Sequence, residues 1–241
     1  MARAGKMYEK EIDSIHLHEK INLRIYEPEE IDSLYETNVC IVQDGNDYYN
    51  LGRLATVSDQ LHDSYDIVNT IFVGIHYKDR FERRERYHPQ GKENKHYELF
   101  IVEEVIALLK DIVPLNPLGI TYSLMGDSLA GTFAFMTAVK HDTIFKNIIM
   151  QSPLVNEDVL ELAKKSDSIS RLNIYHTIGL KESAVPTTVD GEVEFVQPNK
   201  DLHHILKDKM SNYYYDEFPH GEHTWKYWQE DLPHALTTIF A

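Results

Sequence analysis

Gly126-Asp127-Ser128-Leu129-Ala130-Gly131 stands between an apolar run and a helix of small residues, and its reading decides the fold. Leu118 to Met125 (LGITYSLM) is rich in apolar and β-favouring residues and is opened by Pro117, which predicts a buried strand. Leu129 to Val139 (LAGTFAFMTAV) predicts a buried helix, with Ala130, Gly131, Ala134 and Ala138 at closely packing positions. A serine at the sharp turn between strand and helix is what a nucleophile elbow needs. The turn lifts the hydroxyl out of the sheet, and small neighbours avoid clashes. The helix aims its N-terminal N–H groups at the same place, where an oxyanion would develop. Ala130 stands where a full G-x-S-x-G has glycine, and alanine is the smallest replacement. The alternative is a strand-to-helix turn whose serine merely caps the helix.

Working outward, alternating elements surround this turn. Residues 9–27 alternate polar and apolar in places, which predicts an antiparallel hairpin. Asn38 to Gln43 (NVCIVQ) predicts a short strand closed by a turn at Asp44-Gly45-Asn46-Asp47. A helix is expected over Leu51–Leu61, a strand over Thr70–Ile75, and an Arg-rich loop from His76 to Lys95. Helical spacing then runs from Tyr97 to Ile112 and stops at Pro114. After the elbow, strands are expected at Asn147–Met150, Leu172–Thr177 and Tyr213–Phe218, and helices at Glu157–Lys165, Lys200–Met210 and Asp231–Phe240. This order implies an α/β chain with a mostly parallel central sheet, antiparallel N-terminal strands and helices on both faces. Sites in such sheets lie at the C-terminal ends of the strands. The turns after Gln43, Ile75, Met125, Thr177 and Phe218 are therefore expected on one rim.

Composition narrows the class. The length of 241 residues suits one domain spanning 1–241, and 42% hydrophobic residues exclude a disordered chain. A net charge of −15 disfavours nucleic acid and anionic membranes as partners. The single cysteine, Cys40, excludes an intrachain disulfide and sits in an apolar run as a small hydrophobe. No apolar stretch approaches the roughly 18 residues of a membrane span. The opening MARAGKMYEKEIDS turns acidic where a signal peptide would turn apolar, so the cytoplasm is the expected compartment.

A serine hydroxyl needs a base, and the base needs an orienting acid. With strand order Ser…acid…His, the histidine is expected after the last strand, where Phe218-Pro219-His220-Gly221-Glu222-His223-Thr224-Trp225 stands. His223 is the better candidate, beside Trp225 and Trp228, with His220 at the surface. The acid is expected after Leu172–Thr177, where Glu182 is the first carboxylate. Asp190, Glu157 and Asp158 remain alternatives. Asp127, as the second residue of the elbow, points away and is excluded. Of the two oxyanion donors, one is expected from the N–H of Leu129 and the other from the N–H of Asn46, after the first parallel strand.

Together, the strand ending in Asp44-Gly45, the Gly126–Gly131 elbow and the ending Gly221-Glu222-His223-Thr224-Trp225-Lys226-Tyr227-Trp228 resemble the putative-esterase (esterase D-like) family of α/β-hydrolases. The likeness runs from about residue 38 to the end. Its most specific part, G-x-H-x-W-x-x-W followed by Leu232-Pro233, is similar to the histidine segment of the siderophore-esterase branch. The resemblance implies an α/β-hydrolase fold and ester hydrolysis through an acyl-enzyme. It implies Ser128 as nucleophile, His223 as base, Glu182 as acid and the Asp44-Gly45-Asn46 turn as a source of the second oxyanion donor. No cofactor is implied, and the partner is a small-molecule ester, of a small acyl group or of siderophore type.

Arg80, Arg83, Arg84 and Arg86 crowd the segment after Ile75. A mixed Arg/Glu stretch is ordinarily solvated, but on the expected rim Arg83 and Arg84 are candidates for holding an anionic acyl or leaving group. The letters Gly126-Asp127-Ser128-Leu129 also spell the GDSL-hydrolase motif, which lies near the N-terminus in that family; here about half the chain precedes it. A non-catalytic binding protein on the same fold is the other alternative. The pairs His203-His204 and His220…His223 lack companions at ligand spacing, so no metal site is expected.

Overall fold

The computed structural model of the chain describes residues 4–32, 34–113, 116 and 118–241. Pro114 and Pro117, expected to stop a helix and open a strand, lie outside the described residues. An eight-stranded sheet forms the middle layer. Its strands are β1 (Lys6–Ser14), β2 (Glu19–Glu27), β3 (Thr37–Val42), β4 (Thr70–Ile75), β5 (Ile120–Asp127), β6 (Phe145–Gln151), β7 (Asn173–Gly179) and β10 (Tyr213–Phe218). They lie in the order β1-β2-β4-β3-β5-β6-β7-β10. β1 pairs antiparallel with β2, and β2 with β4. The other pairings are parallel, with Val42 opposite Met125 and Asp127 opposite Gln151. A separate two-stranded hairpin joins β8 (Val185–Pro186) to β9 (Glu192–Val193).

Strand residues alternate between two cores because successive side chains leave a strand on opposite faces. Val39, Ile41, Val73, Leu124, Ile148 and Ile174 enter one core. Cys40, Val42, Phe72, Met125, Ile149 and Tyr175 enter the other. Both faces being buried, these strands read as continuous apolar runs, as parallel sheets do. The first core is covered by α6 (Ser128–Lys140), α7 (Glu157–Lys165), α8 (Val196–Lys209) and the helical stretch from α4 (Asn94–Leu99) through a π-helical segment (Phe100–Val105) to α5 (Ile106–Ile112). The second is covered by α1 (Gly45–Asn50), α2 (Leu54–Asp63) and α9 (Trp225–Phe240). This is the α/β-hydrolase arrangement that the sequence implies.

Three local expectations are corrected. Arg80 to Tyr87 is a helix, α3, rather than part of a loop. Asp79 caps it by accepting from the N–H groups of Phe81 and Glu82, and Arg83 and Arg86 find acidic partners distant in sequence, Asp44 and Glu19. The expected turn at Asp44-Gly45-Asn46-Asp47 is a single left-handed residue, Asp44 at φ 55°, from which α1 starts directly. The β8–β9 hairpin, within a stretch expected to be loop, was not anticipated.

Candidate active site

β5 delivers Ser128 at the head of α6 with φ 50°, a left-handed backbone that a non-glycine residue rarely adopts. Such a residue costs on the order of 1–3 kcal/mol and is held only by its surroundings. Here those are close-packed. A Cβ on Gly126 would come 2.5 Å from the carbonyl carbon of Ala130, so glycine is what allows β5 and α6 to meet so tightly. Ala130 is itself wholly buried.

The hydroxyl of Ser128 lies 2.8 Å from Nε2 of His223, in the loop between β10 and α9. Nδ1 of His223 lies 2.6 Å from Oε2 of Glu182, which follows β7. The other carboxylate oxygen, Oε1, accepts from the Ser152 hydroxyl at 2.7 Å and the Gly179 N–H at 3.0 Å. Glu182 is buried, with 1% of its surface exposed, and every oxygen is engaged. A Cβ on Gly179 would stand 2.5 Å from Oε1, so the carboxylate fits only beside glycine. The imidazole is held edge-to-face between Phe195, at 4.6 Å, and Trp228, at 4.9 Å.

Trp228 is locked in turn. Its indole N–H donates to Ser152 Oγ at 3.2 Å, and its carbonyl accepts from Gln151 Nε2 at 3.0 Å. Gln151 also donates to Asp231 and accepts from the Tyr48 hydroxyl, tying α9 and α1 to the end of β6. Asp231 accepts from the Tyr175 hydroxyl as well. Ser152 is the participant that sequence reading missed. It follows β6, and its left-handed φ of 46° turns the hydroxyl toward Glu182. The available signal was its place at a strand's C-terminal end, in Gln151-Ser152-Pro153.

The structure thus brings Ser128, His223 and Glu182 into one hydrogen-bonded line that includes none of the alternatives, although Asp190 shares the wall of the same cavity. His220 is exposed. Asp190 sits in the turn of the β8–β9 hairpin, Glu157 opens α7, and Asp158 accepts from Gln90. Leu129 lines the cavity over Ser128, whereas the Asn46 side chain lines a separate groove with Gly74, His76 and Tyr77. Asp127 turns away from the cavity into the protein, 3% exposed, with Oδ1 lacking a hydrogen-bond partner among the described residues. Burial first, then the nearby Asp44 charge, pushes its carboxyl well above the usual range, against the opposing Arg83 charge.

The arginines of α3 behave differently from one another. Arg83 clamps the buried Asp44 through Nε at 2.8 Å and Nη2 at 2.6 Å. It thereby fixes the left-handed residue at the end of β3. Arg86 turns inward to Glu82 at 3.1 Å, to Glu93 at 3.3 Å and to Glu19. Arg83 and Arg84 both line the cavity over Ser128, which has a volume of about 100 Å³ and includes Leu154, Phe195 and His223 in its wall, but only Arg83 has its fork taken up by a buried carboxylate. Among the described residues no group of three or more His, Cys, Asp or Glu could hold a metal ion, and no helix is long and apolar enough to cross a membrane.

The profile of the family described as putative esterase matches residues 14–239. The chain is 41% identical over 232 residues to the uncharacterized protein YjcH of Bacillus subtilis (strain 168), covering 96% of each. Among solved structures, an enterobactin esterase of Shigella flexneri superposes with a TM-score of 0.76 at 17% identity, covering 96% of this chain. The chain spans 58% of that esterase's length. A ferulic acid esterase matches with a TM-score of 0.78 at 14% identity, covering 98% of both chains. An IroE-like serine hydrolase of Shewanella oneidensis matches at 0.71 and 18% identity, covering 95% of this chain and 79% of the other. At such identities the likeness to solved structures speaks for the fold.

Proposed function

This chain belongs to the putative esterase family and is an esterase, and we propose that it works through Ser128, His223 and Glu182 as nucleophile, base and acid. The observation that carries the reading is the unbroken line from Glu182 through His223 to Ser128, ending on a left-handed serine at the cavity. In this reading Nε2 of His223 takes the Ser128 proton as Oγ attacks the ester carbonyl carbon. The imidazolium is stabilised by Glu182 and then gives that proton to the departing alcohol. Water, deprotonated by His223, attacks the acyl-serine, and the free acid leaves as Oγ regains its proton.

The N–H of Leu129 supplies one oxyanion donor. The β3–α1 turn supplies the other, where the N–H of Asn46 lies in the first turn of α1 and has no intrahelical acceptor. The substrate is a small-molecule ester. A cavity of about 100 Å³ favours a small acyl group, well below the roughly 300–1,000 Å³ of pockets for drug-sized ligands. A siderophore-type ester, as the enterobactin esterases of the same fold suggest, would keep its bulk outside.

Hydrolysis of p-nitrophenyl acetate tests this. Ser128→Ala and His223→Ala are each expected to lower kcat by at least about 10³-fold, and Glu182→Gln by a smaller but large factor. Activity surviving in His223→Ala, or lost in Asp190→Asn while Glu182→Gln stays active, overturns the assignment. A wild type inert toward every short acyl chain favours a binding protein.

A further inference from the structure

Three arginines of α3 point inward, and two are paired with carboxylates through Nε and Nη2. Arg84 is the exception. Its Nε is buried with no hydrogen-bond partner among the described residues. Nη1 reaches Glu85 only at 3.3 Å, and Nη2 stands 3.8 Å from Asp190, too far for a hydrogen bond. Five donors in a planar fork are therefore mostly unused, although the side chain is only 19% exposed.

His88, one turn further along the chain, lines the same cavity. Its Nδ1 accepts from the Gln90 N–H at 3.1 Å, which leaves the ring proton on Nε2. Burial, with the Arg84 charge adding to it, pushes His88 down, so the ring is a neutral donor. A cation and an N–H donor thus share a wall with Ser128, while Leu129, Leu154, Val185 and Phe195 supply apolar surface. In such surroundings an ion pair is stronger than in water. The fork of a guanidinium matches a carboxylate in two-point geometry.

The β8–β9 hairpin closes over this wall. Its base is anchored by Val185, packed with Ile178 and Phe195. Its turn is held by Thr187, whose N–H and hydroxyl donate to the Gly191 carbonyl and whose hydroxyl oxygen accepts from the Asp190 N–H. Asp190, 47% exposed, is the carboxylate nearest to Arg84 on the hairpin. A loose, half-exposed pair of this kind is worth little and is readily exchanged.

We propose that Arg84 and His88 form a carboxylate subsite beside Ser128, that the ester hydrolysed here carries a carboxylate, and that Asp190 stands in for it in the free protein. The proposal rests on the serine-esterase reading above. The carboxylate belongs either to the acyl group or to the alcohol, and matched substrates separate the two. One pair is p-nitrophenyl hemiglutarate and its neutral methyl ester. The other is 4-acetoxybenzoate and its methyl ester.

At fixed ionic strength, the ratio of kcat/KM for the charged over the neutral member is expected to exceed about tenfold in at least one pair. Arg84→Gln lowers that ratio at least tenfold, Arg84→Lys lowers it less, and Asp190→Asn raises it at least threefold. Glutarate inhibits the wild type competitively and the Arg84→Gln variant more weakly. A ratio at or below one in both pairs, or one unchanged by either Arg84 substitution, overturns the subsite. A ratio lowered by Asp190→Asn overturns the stand-in role of Asp190. Failure of the underlying reading looks different: neutral esters would be cleaved equally well by Ser128→Ala, or not cleaved by the wild type.

Discussion

Ser152 shows how much of this site depends on single side chains that carry no motif. Its hydroxyl donates to Glu182 and accepts from Trp228, so it couples the acid to the ring that packs on His223. Ser152→Ala leaves Oε1 of Glu182 with the Gly179 N–H alone. A hydrogen bond of this kind is worth about 0.5–1.5 kcal/mol net, and more to a charged group. The expected result is a fall in kcat of roughly 3–10-fold with KM unchanged, read from steady-state kinetics on a short acyl ester. Asp127 offers a second test, in stability. Its carboxyl is raised in the folded protein, so between the ordinary aspartate range and that raised value the folded state holds a proton the unfolded state has lost. Stability contributed by the neutral acid is complete below the unfolded pKa and drains away as pH rises toward the folded one. Asp127→Asn is therefore expected to flatten the decline of the urea midpoint as pH rises above the ordinary aspartate range. A parallel decline in wild type and variant would show that Asp127 is not the group responsible.

At the scale of elements, the β5–α6 junction sets the position of Ser128. Gly126→Ala puts a methyl group against the Ala130 carbonyl carbon at 2.5 Å, and backbone cannot swing aside as a flexible side chain would. Overpacking of this sort costs about 1–3 kcal/mol. Thermal unfolding should show a lower Tm, and kcat should fall with it because Ser128 moves with α6. Helix α3 was legible only as a charged stretch. The sequence reading set Arg83 and Arg84 on the rim as candidates for an anionic group, because neither Asp44 nor Glu19 lies near the arginines in sequence. Their helix follows from the Asp79 cap, and the inward direction of Arg83 and Arg86 follows from partners at the end of β3 and on β2. The hairpin of Val185 to Val193 was equally hidden, since two-residue strands leave no periodic pattern.

Across the whole molecule, the sheet gathers the ends of β3, β5, β6, β7 and β10 at one rim, and that rim carries the site. The same packing buries a histidine outside the cavity wall. His176, on β7, is pushed down to about 3, chiefly by burial, while bonded to Asn199 and Tyr213. Its neutral form contributes stability that is full above about pH 6.5 and is lost as pH falls toward 3, where the unfolded chain takes up the proton first. His176→Gln is expected to make the urea midpoint fall less between pH 7 and 4 than it does in wild type. An identical fall would assign the acid sensitivity to other groups. Sequence alone determined the alternation of strands and helices, the elbow at Ser128 and the histidine after the last strand. Each of these rests on local patterning: continuous apolar runs, small residues around a sharp turn, and position along the chain. The hydrogen bond between Glu182 and His223, with Asp190 left in the β8–β9 turn, and the place of Ser152 needed the tertiary structure. So did separating Arg83, clamped on Asp44, from Arg84, whose fork is mostly unused, in the wall of one cavity. Those choices depend on which charges and donors are buried together, and residues dozens of positions apart meet only once the sheet has closed around them.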